Sequence, residues 1–348
     1  MIHEIIRVDE REVCDRWHVK KLSGKLIASS HLEEEMLYDL LRQDEQLSTS
    51  KANCVIQACS RIIEARNRKE KVFVGGDYDA DGICSTAIMK KTLDVLGITN
   101  GYYIPDRFKE GYGLSEKTVE LAYQKGYSLI ITVDNGVKAH AALQKARQFG
   151  MDVIVTDHHQ IEEDIEADIV VHPDYMEEQF AYLSGAGVAL EISRNLIGTG
   201  SQYDALIALC AVALIGDVMP LWRETRKLVK KGLSIIRQGR VRTLSAMLFP
   251  GAAVDETAVA FSIVPKLNAV GRMNDISNVN TLVPYLLSTN DSSIASYCQQ
   301  LNLVNERRKA LSDEESKVAE KSVTDDKIQV IYQECFHEGI CGLVAGRL

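Results

Sequence analysis

Apolar positions fall into two textures along this chain. Before residue 70 they recur at helical spacing, as in Leu37, Leu40 and Leu41, then Ile56, Cys59, Ile62 and Ile63. That is the i, i+3, i+4 signature of amphipathic helices. From residue 71 the pattern shifts to short continuous runs rich in β-branched residues. Lys71-Val72-Phe73-Val74, Ser128-Leu129-Ile130-Ile131-Thr132-Val133, Val153-Ile154-Val155-Thr156 and Ile169-Val170-Val171 each read as a strand. Helical patterns over 115–125 and 138–149 lie between them. Continuous apolar strands alternating with helices predict an α/β fold, a mostly parallel sheet flanked by helices on both faces.

Beyond Tyr203 the pattern is helical to about Arg237 and mixed to about Asn290. One long connecting helix is expected over 291–324, with Leu301, Val304, Arg308 and Leu311 at helical spacing. A last short strand is expected at Ile328 to Tyr332. The expected organisation is a helical extension over 1–70, a catalytic domain over 71–220, a helical and basic region over 221–290 that completes the catalytic core, the long helix, and the opening of a further α/β unit over 325–348. Those last 24 residues are too few to bury a core of their own.

Composition changes this picture little. With 46% hydrophobic and 26% charged residues the chain can bury a sizeable core, which excludes disordered and collagen-like classes. The net charge of −9 and pI ≈ 5.5 argue against a basic sleeve around nucleic acid, yet allow an enzyme that uses metals and one local basic patch. The eight Cys contain no C-x-x-C pair and read as reduced thiols packed as small apolar groups. The longest apolar run, Leu206 to Gly216, falls far short of the ~18 residues a spanning helix needs. Glu4, Arg7, Asp9 and Glu10 stand where a signal peptide would be apolar. A cytoplasmic location without a membrane partner is therefore expected.

The chemistry concentrates where apolar runs end. Val72 to Val74 leads to Asp77-Tyr78-Asp79-Ala80-Asp81-Gly82, Leu129 to Val133 to Asp134-Asn135-Gly136, and Val153 to Thr156 to Asp157-His158-His159. The apolar stretch ending in Leu214-Ile215-Gly216 leads to Asp217. In open parallel sheets the carboxyl ends of strands line the ligand crevice, so these distant acids would meet there. Carboxylates gathered in one crevice repel each other and lose hydration, a conflict that divalent cations remove. Carboxylates with an imidazole and no thiolate suit Mn²⁺ or Mg²⁺. One carboxylate bridging two ions about 3.5–4 Å apart is the arrangement of two-metal phosphoryl chemistry, in which a hydroxide forms near neutral pH. A lone Asp after a strand is an ordinary turn former or helix cap. Asp-x-Asp-x-Asp-Gly also opens calcium loops, but the twelfth position from Asp77 is Ile88 where such a loop needs Glu.

These residues resemble the DHH phosphoesterase superfamily, and within it the RecJ-type single-strand-specific exonucleases. Gly76 to Gly82, Val133 to Gly136, Val155 to His159 and Gly216 to Leu221 look like four motifs of that family. Ile104 to Arg107 with Glu110 to Gly113, Leu183 to Ala189, Pro265 to Arg272 and Leu303 to Arg308 agree with it, so the likeness runs from about residue 50 to the end. The resemblance implies that Asp77, Asp79 and Asp134 hold one divalent cation and that Asp81, Asp134, His158 and Asp217 hold another, with Asp134 shared. Asp157 would orient the site, and His159 would touch the scissile phosphate or assist the leaving oxygen. The implied reaction is 5′→3′ hydrolysis of single-stranded DNA to 5′-mononucleotides, in DNA repair and recombination. Members of the family carry a second domain, DHHA1, and usually an OB-fold. Here only His337 to Leu348 resembles the opening of DHHA1, with Gly346 where the family commonly has Ser. The expectation is a short or split form, with a partner chain supplying the rest of the cleft.

Two sets of basic residues are candidates for single-stranded DNA. Arg107 and Arg272 offer guanidinium forks that match phosphate oxygens, with Asn268 and Gly271 shaping the loop around Arg272. Arg223, Arg226, Lys227, Lys230 and Lys231 fall on one side of a helix, a stripe that would guide a polyanion or simply form a solvated face. Tyr102, Tyr103, Phe108 and Tyr112 would stack on bases or fill the core. Two other functions stay open: a phosphodiesterase of short oligonucleotides or cyclic dinucleotides, and a non-catalytic scaffold that needs a partner. An inorganic pyrophosphatase would leave the basic stripe and the long helix without a purpose.

Overall fold

The computed structural model describes residues 9–30, 32–41, 46–198 and 200–348. Glu4 and Arg7 lie outside them. Three short helices, α1 (Arg11–Trp17), α2 (Lys21–Ser30) and α3 (Glu34–Leu41), precede α4 (Asn53–Arg68). The α/β unit follows as β1 (Val72–Gly75), α5 (Ala80–Val95), β2 (Asn100–Tyr103), α6 (Glu116–Gln124), β3 (Leu129–Val133), α7 (His140–Gln148), β4 (Asp152–Thr156) and β5 (Ile169–Val171). The five strands form one sheet in the order β2-β1-β3-β4-β5, and every neighbouring pair is parallel.

Strand periodicity divides the core in two. Val72 and Val74 of β1, Leu129, Ile131 and Val133 of β3, and Ile154 of β4 point to one face, where α4 and α5 pack. Phe73, Ile130, Val153 and Val155 point to the other, against Val119 and Ala122 of α6 and Ala142, Leu143 and Ala146 of α7. Because successive side chains of a strand face opposite ways, a strand buried on both faces needs apolar residues throughout, which is why these runs are continuous. β2 departs from the sequence expectation. Asn100-Gly101-Tyr102-Tyr103 is a half-buried edge strand, so it lacks the apolar run that marks its neighbours.

The first face is completed by α8 (Gly185–Ile197), α9 (Ser201–Gly216) and α10 (Arg223–Arg237). Residues 206–214 of α9 are all buried, as expected of a helix apolar on every side. The chain continues through α11 (Arg242–Met247), α12 (Glu256–Ala258), a π-helical turn (Val259–Ile263) and α13 (Val264–Arg272). Pro265 has no N–H to donate into the preceding turn, and the ladder widens just before it. After α14 (Leu282–Leu286) comes α15 (Asp291–Glu320), a rod about 45 Å long at 1.5 Å per residue, then α16 (Cys341–Ala345).

The expected strand at Ile328 to Tyr332 is absent: these residues have no ladder partner, and Ile328, Val330 and Tyr332 are 81%, 90% and 78% exposed. β-branched residues favour a strand only where a neighbouring strand takes up their backbone groups. No helix among the described residues is long and apolar enough to cross a membrane.

Candidate metal centre

The strand order changes direction between β1 and β3, which is where open α/β sheets leave a crevice beyond the carboxyl ends of their strands. Asp77 follows β1 by two residues, Asp134 directly follows β3, and Asp157 directly follows β4. Asp79 caps α5, its Oδ1 accepting from Asp81 N (3.0 Å) and Gly82 N (3.1 Å). Asp81 lies in the first turn of α5, and its carboxylate accepts from Ser184 Oγ (2.9 Å), Gly185 N (2.8 Å) and Ala186 N (2.9 Å) at the N-terminus of α8. Asp217 does not follow a strand. It caps the C-terminus of α9, a helix that delivers it to the same crevice.

The structure brings the expected acids together. His158 Nε2 lies 3.2 Å from Asp134 Oδ1, 3.6 Å from Asp81 Oδ2 and 3.6 Å from Asp217 Oδ2. Three overlapping groups have donor atoms within 4.8 Å of one another: Asp77, Asp79 and Asp134; Asp81, His158 and Asp217; and Asp134, His158 and His159. Asp134 takes the left-handed region at φ 61°, a conformation Asp tolerates better than most residues. Gly185 is required by proximity. A Cβ there would stand 2.5 Å from Asp134 Cβ and 2.6 Å from its Oδ1.

The electrostatics show unresolved negative charge. Burial, and then the charge of Asp79, pushes the Asp77 carboxyl up to about 8. Burial and then Asp81 push Asp217 up to about 6 and hold Asp79 and Asp134 above the ordinary carboxylate range. Asp157 behaves differently. Burial favours its neutral form, but the hydrogen bond from His159 and the backbone N–H of Val137 outweigh it and hold it below that range. Asp157 Oδ1 accepts from His159 Nδ1 at 2.7 Å, which raises the imidazole pKa against the opposing effect of burial.

Buried polar atoms normally have partners. Asp77 Oδ1, Asp134 Oδ1 and His158 Nε2 are buried here with no hydrogen bond. Their chemistry, hard carboxylate oxygens with one imidazole nitrogen and no thiolate, fits hard divalent cations of the Mn²⁺ and Mg²⁺ kind.

The candidate DNA contacts divide. The loop expected around Arg272 is instead the helix α13, which packs directly on the segment that carries the first acids. Asn268 Oδ1 accepts from Ala80 N at 2.8 Å, and a Cβ on Gly271 would meet Tyr78 O at 2.5 Å. Arg272 ends α13 half-buried, and its Nη1 donates to Gly339 O at 3.3 Å. Burial and then repulsion from Arg107 lower its pKa. Arg107 lies over the Tyr78 ring, 4.9 Å from its centroid. The helix of Arg223, Arg226, Lys227 and Lys230 packs on α9 instead, and its charges are partly spent: Arg223 pairs with Glu178 and Glu35, and Lys227 lies 3.8 Å from Glu224.

A family model described as the DHH family, N-terminal domain, matches residues 71–215. A crystal structure of exonuclease RecJ bound to manganese is similar at TM-score 0.78 and 32% identity, covering 87% of this chain and 78% of that one. The chain belongs to the RecJ branch of the DHH family. The single-stranded-DNA-specific exonuclease RecJ of Bacillus subtilis is 35% identical over 302 residues, 84% of this chain and 38% of that protein. That of Escherichia coli is 31% identical over 326 residues, 84% of this chain and 56% of that protein. RecJ of Thermus thermophilus in complex with Mn²⁺ gives TM-score 0.81 at 27% identity, covering 97% of this chain and 50% of that one. The chain thus spans about half the length of the curated relatives it matches.

Some contacts of this RecJ-family site were not legible in sequence. Tyr112, a candidate base stacker or core residue by sequence, donates its hydroxyl to Asp134 O at 2.9 Å and sets its ring edge-on to His159. Asn135 donates to Gly75 O and Val133 O, tying the ends of β1 and β3 together beneath the acids. Ser184 lies in a family-like motif, and its role emerges only from its contact with Asp81. No residue spacing signals the contacts of Tyr112 and Ser184, because each partner is brought by a different element.

Proposed function

We propose that this chain is a metal-dependent phosphodiesterase that hydrolyses single-stranded DNA in the 5′→3′ direction to 5′-mononucleotides, acting in DNA repair and recombination. The observation that carries the reading is the set of buried atoms that make no hydrogen bond, Asp77 Oδ1, Asp134 Oδ1 and His158 Nε2, crowded together at the mouth of a parallel sheet. It is supported by family membership and by relatives named as single-stranded-DNA-specific exonucleases.

Asp77, Asp79 and Asp134 would hold one Mn²⁺ or Mg²⁺ and Asp81, Asp134, His158 and Asp217 the other, with Asp134 shared. When bound, these ions supply an activated water and neutralise charge on the phosphate. The protein's own groups do the rest. Asp157 fixes the His159 ring and favours its protonated form, so the imidazole is poised to donate a proton to the leaving oxygen or a hydrogen bond to the phosphate. Arg272 and Arg107 bind phosphate oxygens of the strand. Tyr78 and Tyr112, in edge contact with ring centroids 6.2 Å apart, wall one side of the crevice and offer apolar faces to a base.

The test is digestion of 5′-phosphorylated, 3′-labelled single-stranded DNA with and without Mn²⁺. The expected outcome is metal-dependent release of mononucleotides from the 5′ end, lost in Asp134→Asn. Absence of Mn²⁺ binding at this site, or cleavage unaffected by Asp134→Asn, would overturn the reading. Cleavage that appears only on addition of a second protein would show that a partner chain completes the cleft.

A further inference from the structure

His172 directly follows β5 and is 2% exposed. Its two ring nitrogens have different partners. Nε2 meets the backbone carbonyl of His159 at 2.9 Å, and Nδ1 meets the backbone N–H of Asp174 at 3.1 Å. A carbonyl only accepts and a backbone N–H only donates. The neutral ring protonated on Nε2 satisfies both contacts at once, and its partners therefore select that tautomer.

The contact lies under the segment that carries the chemistry. Asp157 closes the segment from within: its Oδ1 accepts from His158 N, His159 N and His159 Nδ1, and its Oδ2 accepts from Val137 N. Those bonds hold the start of the segment and the imidazole of His159. The carbonyl of His159 points the other way, and among the described residues the His172 side chain is the donor it receives. The His159 ring is thus aimed by Asp157 and its main chain is anchored by His172. His172 is anchored in turn by the 3-10 turn Pro173–Tyr175, whose first N–H it caps.

We propose that His172 is a positioning residue for His159: its Nε2–H sets the main chain at the end of the Asp157-His158-His159 segment and so aims the His159 imidazole at the substrate phosphate. This rests on the function proposed above, and its test is chosen so that the two can fail separately. His172→Leu removes the donor while filling much of the volume. His172→Gln can return an amide N–H to the place of Nε2.

Two readouts are needed. The first is steady-state cleavage of single-stranded DNA at saturating Mn²⁺. His172→Leu is expected to lower kcat about 10- to 100-fold with KM changed less than about threefold, the size of effect seen when groups behind a metal site are removed. His172→Gln is expected to recover most of that loss. The second is the proton-bearing nitrogen resonance of the His159–Asp157 hydrogen bond in ¹⁵N-histidine NMR spectra. It is expected to shift or broaden in His172→Leu and to return toward the parent position in His172→Gln, while melting stays cooperative in both.

A folded His172→Leu with parent kcat and an unchanged His159 resonance overturns the proposal. So does equal impairment of both variants, which would assign His172 to packing alone. If the parent cleaves no DNA, the resonance still decides the positioning role, and the failure belongs to the proposed function.

Discussion

Replacing Gly185 with Ala tests the packing of the site through a single methyl group. The new Cβ would stand 2.5, 2.6 and 2.7 Å from Asp134 Cβ, Oδ1 and Cα. Non-bonded carbon atoms settle at about 3.5–4.0 Å, so α8 and Asp134 must separate by about 1 Å. The same backbone N–H holds Asp81 Oδ2 at 2.8 Å, so the movement disturbs two acids. Misplacement by about 1 Å costs on the order of 10²-fold in rate when a catalytic geometry is lost. The helix itself does not suffer, because Gly185 is the first residue of α8 and Ala is the better helix former. The expected result is a cooperatively melting variant with weaker Mn²⁺ binding by calorimetry and kcat on single-stranded DNA reduced on the order of 10²-fold. A folded Gly185→Ala that binds Mn²⁺ and cleaves DNA like the parent would refute the placement of Asp134 against α8.

Without metal, Asp77 and Asp217 have folded-state values of about 8 and about 6, against 3.8 for an ordinary Asp. Such groups keep protons that the unfolded chain has lost, so metal-free stability should fall as pH rises from about 4 through about 8. Mn²⁺ should reverse the trend by displacing protons, seen as proton release at pH 7 in titrations run in two buffers of different ionisation enthalpy; stability that rises with pH in metal-free protein would contradict this. Arg272→Ala should raise KM for single-stranded DNA about 10-fold or more, the worth of a charge-assisted hydrogen bond, whereas Arg223→Ala, whose guanidinium is held by Glu178 and Glu35, should change it less than about threefold. The reverse ranking would return the DNA path to α10. Val218, at φ 56° and 86% exposed beside Asp217, carries a β-branched side chain in the left-handed region; Val218→Asn should stabilise the protein by about 1 kcal/mol in denaturant titration, and a loss of stability would exclude strain there.

The sheet was legible where burial on both faces demanded continuous apolar runs, as in β3 and β4. It failed at both kinds of exception. β2 is an edge strand, so Asn100 and Gly101 cost it nothing and hid it. Ile328 to Tyr332 has strand composition but no neighbour, and composition cannot supply one. Asp134, Asp157 and Asp217 were legible because each ends an apolar run, whether the run is a strand, as before Asp134, or a helix, as before Asp217. The supporting contacts were not. Ser184 against Asp81, Tyr112 against Asp134 and His172 against His159 join elements whose proximity exists only once the chain has folded. The basic stripe of α10 was legible as a pattern, but its pairing with Glu178 and Glu35 was not, since those acids come from other segments.

The most direct test of the account is anomalous scattering at the manganese edge from crystals grown with Mn²⁺. Two peaks are expected, one against Asp77, Asp79 and Asp134 and one against Asp81, His158 and Asp217. A map with no peak in this crevice, or with manganese bound only elsewhere, would contradict the assignment of these buried carboxylates as a metal centre.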